Sequence, residues 1–167
     1  MARCARYCCP PVSCADAGDE EKNLRPLRIG LLMQISSTSD YGDVRMVKVG
    51  FEDALSQIEM ALKAEGFGVL CHIDIQAKMK EKLGIDFPRY VILGACNPPL
   101  AQQALQRDVN LGLLLPCNVV VYENGGRVHV GVVDALKMLS LANHPEMEGL
   151  AQQVNERLRR ALSCVAS

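Results

Sequence analysis

Two Cys-Asn pairs carry the residues best suited to chemistry in this sequence. Cys96 and Asn97 are followed by two prolines, whereas Cys117 and Asn118 are preceded by one. An ionised thiol can act as a nucleophile or bind a soft metal such as Zn or Cu(I). The chemistry therefore depends on whether either cysteine is held where its thiol ionises.

Cys96 is the stronger candidate because a helix is predicted to begin directly after it. Asn97 is a favourable N-cap, and Pro98 suits the first helical position. The Cys96 sulfur would then lie beside the positive end of the helix dipole, which lowers a thiol pKa. Pro98 and Pro99 remove two N–H groups from that helix end and so weaken the effect. We expect Cys96 to be the candidate catalytic thiol.

Cys117 is predicted to lie on the valine-rich face of a strand, where burial raises a thiol pKa. It would act as a resolving thiol, or as a second metal ligand, only if the fold brings it close to Cys96. The separation of the two cysteines fits neither a Cys-x-x-Cys redox motif nor a paired zinc knuckle. Packing in the core is the competing explanation for Cys117.

Two histidines and Asn118 are further candidates for ligand binding. The stretch FGVLCHIDI alternates, so that one face carries Phe67, Val69, Cys71, Ile73 and Ile75, and the other carries Leu70, His72 and Asp74. The alternation predicts Cys71 in the core and His72 either paired with Asp74 or on a solvated face. His129 and Asn118 are predicted on the face of a later hairpin that is opposite the core.

Hydrophobic periodicity predicts the elements that position these residues. A strand over 44–50 precedes a helix that ends at Gly66, and a short helix that ends at Gly84 separates the next two strands. The turn ENGG then predicts a hairpin with Tyr122 opposite Arg127. A final helix, opened by Pro145, carries an apolar stripe that includes Leu158. The predicted fold class is α+β, a β-α-β(4)-α arrangement with a mainly antiparallel sheet and helices packed on one face.

Composition and charge exclude several classes of function. The chain has 167 residues, 49% of them hydrophobic, and a formal charge of -1. It has no tryptophan and no broad basic surface, which argues against nucleic acid as a partner. No run approaches the roughly 20 apolar residues of a membrane-spanning helix, and acidic residues occupy the region where a signal peptide would be apolar. We expect a cytoplasmic protein whose eight cysteines are reduced.

Residues 1–43 differ from the rest because they lack periodicity and mix cysteine, proline and charge. Cys4, Cys8, Cys9 and Cys14 lie close together there, but their spacing matches no zinc pattern. We predict a flexible, cysteine-rich N-terminal extension over 1–43 and a single α+β domain over 44–165. A metal-binding extension is the alternative interpretation.

The motifs LGACNPPLAQQAL and GLLLPCNVVVYE, with EGFGVLCHIDIQAKMKEKLG upstream, closely resemble the family known as domain of unknown function 302. The resemblance extends over about residues 44–162 and places its motif residues at 96–98 and 115–118. It implies a small α+β fold and a homodimer, and it implies no established activity. The cysteine-rich first forty residues fall outside it.

Three hypotheses for function follow, and they leave open whether the protein is an enzyme. The first is a binding module, in which the Cys96-Asn97 turn, with Asn118, His72 and His129 as further candidates, holds a small ligand or a soft metal ion. The second is a thiol-redox or sulfur-handling enzyme with Cys96 as nucleophile and Cys117 as resolving thiol. The third is a purely structural dimerisation protein. No particular cofactor is indicated.

Overall fold

The computed structural model describes residues 38–140 and 145–165, all of which belong to one compact unit over 32–167. The predicted extension lies outside the described residues, apart from residues 38–43. Thr38 and Ser39 pair with Asp43 and Gly42 in the sheet, and Ser39 shapes the tight turn between them. Its Oγ accepts a hydrogen bond from the Gly42 amide at 3.1 Å and donates one to the Gly42 carbonyl oxygen at 2.9 Å.

The described chain contains one six-stranded sheet in which all neighbouring strands are antiparallel, in the order β1-β2-β6-β5-β4-β3. The predicted α+β class is confirmed, with β1 as a short additional strand. The strands are β1 (Thr38–Ser39), β2 (Gly42–Val47), β3 (Gly68–Asp74), β4 (Tyr90–Cys96), β5 (Cys117–Asn124) and β6 (Arg127–Val133).

Two long helices cover one face of the sheet. Of three shorter helices, two connect strands and the third follows the last strand. The helices are α1 (Phe51–Ala64), α2 (Ile75–Leu83), α3 (Pro98–Arg107), α4 (Ala135–Ser140) and α5 (Glu148–Ser163), with 3-10 turns at Val109–Leu114 and Pro145–Met147. Helices α1 and α5 contact each other and the central strands. Within the described ranges, no helix has both the length and the apolar character needed to cross a bilayer.

The core lies between these two helices and alternate residues of the central strands. Val119, Val121 and Val130 are fully buried, as are Ile58 of α1 and Leu158 of α5. The valine face that the sequence predicts for the hairpin is therefore confirmed. We call the opposite face of the sheet, away from α1 and α5, the open face.

The hairpin pairs two residues further along than predicted. Asn124 is opposite Arg127, and Tyr122 is opposite His129. Gly125 and Gly126 both have positive φ, which allows a two-residue turn whose twist matches that of the strands. A shift of two residues leaves every side chain on its predicted face, so His129 and Asn118 lie on the open face as expected.

Strand β3 corrects the prediction for Cys71. The register with β4 shifts between Val69 and Cys71, which makes Leu70 a bulge residue that is 67% exposed. One extra residue moves the following side chains to the other face. Val69 packs against the core, whereas Cys71 is exposed and its Sγ lies over the open face beside Gly94.

Candidate functional site

The turn between β4 and α3 is built by Asn97, as the sequence predicts. Its Oδ1 accepts a hydrogen bond from the Leu100 amide at 3.3 Å, and Pro98 and Pro99 open the helix. Its Nδ2 donates to the Glu65 carbonyl oxygen at 3.4 Å, which joins this turn to the end of α1. Asn97 is buried, and these two hydrogen bonds satisfy both ends of its side-chain amide.

The sheet register brings the two Cys-Asn elements together. Cys117 begins β5 directly opposite Ala95, one residue before Cys96 at the end of β4. Both thiols border one cavity, and both are free. The sequence left open whether Cys96 and Cys117 lie close together. They do, and they form no disulfide.

This cavity, of about 60 Å³, lies between the end of the sheet and helices α3, α4 and α5. Its walls come from segments far apart in the chain. Apart from the two thiols and Asn97, the described residues that line it carry no polar side chain: Phe67, Leu100, Ala101, Ala104, Leu111, Leu114, Leu115, Ala135, Met138, Leu139, Leu150 and Val154.

The thiols at this cavity are less acidic than an ordinary cysteine. Burial raises the pKa of Cys117 to about 11, with the nearby Cys96 adding to the shift. Burial also raises the pKa of Cys96, which is opposite to the direction that its place before a helix predicts. Both thiols are therefore protonated at neutral pH.

The cap itself explains why the helix end fails to acidify Cys96. Pro98 and Pro99 have no N–H, the Leu100 amide donates to the Asn97 side chain, and the Ala101 amide donates to the Asn97 carbonyl oxygen at 2.9 Å. The amides of the first turn are thus missing or engaged. A thiolate at Cys96 would receive little of the stabilisation that exposed N–H groups provide.

We predict that iodoacetamide labels the exposed Cys71 and Cys164 faster than Cys96 at pH 7, and Cys117 most slowly. Alkylation requires the thiolate, and burial raises the pKa of both cavity thiols. The Cys96 rate should therefore still be rising with pH above its ordinary pKa of 9.0. Peptide-resolved mass spectrometry over a pH series measures each rate, and labelling of Cys96 ahead of Cys71 at pH 7 would contradict this assignment.

The remaining predicted ligand-binding residues lie elsewhere. His72 is exposed on the α1 side of the edge strand, where its Nδ1 lies 3.7 Å from Glu59 Oε1. Of the two alternatives for His72, the solvated face is the one observed. Asp74 does not pair with it, because Asp74 Oδ1 caps α2 by accepting from the Ala77 amide at 2.9 Å. Asn118 is exposed. Across residues 38–140 and 145–165, no three His, Cys, Asp or Glu side chains form a group that could hold a metal ion.

His129 is part of a row of rings on the open face. Its ring stacks on Tyr122 with centroids 5.1 Å apart, and Tyr122 stacks on Tyr90 at 5.2 Å. The His129 Nδ1 is buried and has no hydrogen-bond partner within the described residues, and burial lowers the pKa of this histidine. His129 is therefore a neutral, packed ring, well separated in the sheet from the cavity at the ends of β4 and β5.

The turn and both thiols are predicted from the sequence, but the meeting of distant segments around one cavity is not. Leu150 and Val154 belong to the apolar stripe predicted for the last helix, so the helical spacing of apolar residues predicts that they are buried. Leu111 and Leu114 come from a 3-10 segment with no such period. Only the tertiary arrangement shows that these leucines face Cys96.

Comparison with known proteins gives a family and a fold. The family described as Domain of unknown function DUF302 matches residues 44–165. A crystal structure described as an uncharacterized conserved protein DUF302 from Bacillus stearothermophilus is 32% identical, with a TM-score of 0.71, over 75% of this chain and 99% of that one. No match is found among curated proteins. The predicted resemblance is confirmed, and the chain belongs to the DUF302 family, whose function is unknown.

Proposed function

We propose that this protein is a small-ligand-binding module whose site is the cavity at the Cys96-Asn97 turn. The observation that carries the proposal is the cavity of about 60 Å³. It opens where the ends of β4 and β5 meet α3, and the motif residues Cys96, Asn97 and Cys117 all border it. Core packing rarely leaves voids much larger than a water molecule, which favours a role for this space.

The same geometry favours binding over thiol chemistry. A redox nucleophile needs a thiolate, and a lowered pKa requires nearby cations or free amide donors. The walls of this cavity are apolar, and the amides of the α3 first turn are missing or engaged. A soft metal held by two thiols alone is a second form of the binding hypothesis, since thiolates favour Zn and Cu(I).

The binding proposal is tested by filling the cavity. Ala101 lines it from a partly exposed position on α3, so Ala101→Leu should occupy the space at little cost in stability. A panel of short alcohols, carboxylates, amines, Zn²⁺ and Cu(I) is screened for a rise in Tm and for slower alkylation of Cys96. A true ligand protects Cys96 in the wild type and in the control Ala77→Leu, and loses both effects in Ala101→Leu.

Two results would count against this site. A compound that raises Tm equally in wild type and Ala101→Leu binds elsewhere. If no member of the panel protects Cys96 in a way that depends on position 101, the cavity is a packing defect and the binding proposal fails. Cys164, which is exposed and does not line the cavity, gives the internal reference rate.

We also propose that the protein is a homodimer that associates through the open face. A solvated face of an antiparallel sheet is normally polar, but this one carries Val44, Met46, Ile92 and Val120, with Met46 47% exposed. At Gly131 a Cβ would lie 3.0 Å from a Val120 methyl group and 3.1 Å from a Val44 methyl group. The absent side chain leaves a flat apolar surface that a second copy could cover.

We predict that Val120→Lys converts the dimer to a monomer. Val120 lies at the centre of the open face, paired with Ile92 and Gly131, so a lysine there would be buried unpaired in a dimer. The dissociation constant should rise by about 100-fold or more. Sedimentation velocity measures the loss of a species with twice the 18.2 kDa chain mass.

The matched control for this prediction is Gln102→Lys, which adds the same charge at an exposed position of α3 and should leave the dimer intact. A wild-type protein that sediments as a monomer at all concentrations would overturn the dimer proposal.

We further propose a cytoplasmic location, because the described cysteines are free thiols, as is usual in reducing compartments.

A further inference from the structure

We propose that the occupant of the cavity is a short aliphatic chain, either a small molecule or the tail of a larger one, held by packing without coordination or covalent bonding to either thiol. This inference rests on the proposed binding function and narrows its ligand to one chemical class. Three features of the site carry it: the wall, the state of its few polar groups, and its size.

The wall offers almost no directional contact. Leucine, alanine, methionine, valine and phenylalanine side chains make up all of the described lining except for Asn97 and the two cysteines. A charged or strongly polar occupant would lose its hydration there without gaining a hydrogen bond, which is unfavourable. An aliphatic chain has no favourable hydration to lose, and its transfer from water to an apolar cavity is favourable.

The polar groups at the cavity are already engaged or weak. Asn97 accepts from the Leu100 amide and donates to the Glu65 carbonyl oxygen, so its amide is oriented by the protein. A neutral thiol is a poor donor and behaves as a small hydrophobe. Burial raises the pKa of both thiols, and no described cation lines the cavity to reverse that shift.

The volume sets the size of the occupant. An engineered apolar cavity of about 150 Å³ binds benzene, whereas this one is about 60 Å³. A buried group of about two or three carbon atoms follows from that ratio. An aromatic ring would not fit within the present walls.

A series of 1-alkanols from methanol to octanol, titrated against the full chain and followed by amide NMR shifts around Ala101 and Leu114, tests this inference. Affinity should rise about fourfold for each added methylene and then stop rising near propanol. Ala101→Leu should abolish the saturable shifts, while Ala77→Leu should retain them.

Enlarging the cavity provides a gain of function that a folding defect could not imitate. Leu114 is partly buried and lines the cavity, so Leu114→Ala should move the plateau to longer alkanols and allow benzene to bind. Cys96→Ala and Cys117→Ala should keep the dependence on chain length, with affinities within about threefold of wild type, because an alanine methyl and a neutral thiol pack alike.

The outcomes separate this inference from the binding proposal. If Cu(I) or Zn²⁺ protects Cys96 in the wild type and either cysteine variant loses all binding, the site binds ligands through sulfur and the aliphatic assignment is wrong. If neither alkanols nor metals bind in a way that depends on position 101, both the proposed binding function and the aliphatic assignment are wrong. Affinity that tracks chain length in the wild type and shifts with Leu114→Ala supports the assignment.

Discussion

Leu158→Ala should lower the free energy of unfolding by about 3 to 5 kcal/mol, the range found for fully buried leucines. Leu158 is 0% exposed on the inner face of α5, within the cluster that contains Ile58 and Leu162. Both the lost burial and the unfilled cavity contribute, since helices α1 and α5 and the sheet meet at this point and cannot all close in. Urea denaturation followed by circular dichroism measures the change.

The matched control removes the same atoms from the surface. Leu113 is 88% exposed, so Leu113→Ala should change stability by less than about 0.5 kcal/mol. A similar small change for Leu158→Ala would mean that α5 is not packed on the sheet as described. The comparison holds side-chain chemistry constant and varies only burial.

The packing of α5 and the central hairpin was open to prediction because both carry a strong period. Met147, Ala151, Leu158 and Leu162 form the stripe that the sequence predicts, and all four are buried. The hairpin valines alternate without interruption, so even a two-residue error in pairing kept each side chain on its correct face. Periodicity determines faces reliably where nothing interrupts it.

Strand β3 shows where that reasoning breaks down. Its alternation places Cys71 in the core, but the bulge at Leu70 reverses the pattern from that point onward. A bulge is decided by how the edge strand fits its neighbour. The sulfur of Cys71 lies over Gly94, a contact between residues that no local pattern connects.

The Cys96 turn shows a different failure, in which correct local structure gave an incorrect electrostatic conclusion. The sequence predicts Asn97 as N-cap, and it is one. The same cap consumes the Leu100 amide, and the prolines contribute none, so the thiol gains little from the helix end. The partial burial that raises its pKa occurs at a cavity whose other walls come from distant parts of the chain, and no local pattern around Cys96 predicts that cavity.

Asn155 is a further residue that periodicity alone does not explain. It stands four residues after Ala151 and three before Leu158, both fully buried, and is itself only 3% exposed. Its Oδ1 accepts from the Ala135 amide at 2.6 Å, and its Nδ2 donates to Asp134 Oδ1 at 2.7 Å. A side chain of α5 thus completes the N-terminal cap of α4, twenty residues away in the chain.

Asn155→Ala should therefore lower the free energy of unfolding by about 2 to 4 kcal/mol, because it leaves the buried Ala135 amide unsatisfied and removes the Asn155 hydrogen bond to Asp134. Gln152→Ala is the control, as it removes an exposed amide one turn away on the same helix. A double-mutant cycle with Asp134→Ala should show a total loss smaller than the sum of the single losses. Strictly additive losses would show that the two side chains do not act together.

The pH dependence of this deficit separates the hydrogen bond from simple loss of volume. Burial raises the pKa of Asp134, but its hydrogen bonds from Asn155 and the α4 amides outweigh that effect and lower it. A carboxyl group with a lowered folded-state pKa adds stability that is present above its ordinary pKa of 3.8 and is lost as the pH falls through the folded value. The Asn155→Ala deficit should consequently shrink as the pH falls below 3.8, whereas a deficit that came only from a cavity would keep the same size at every pH.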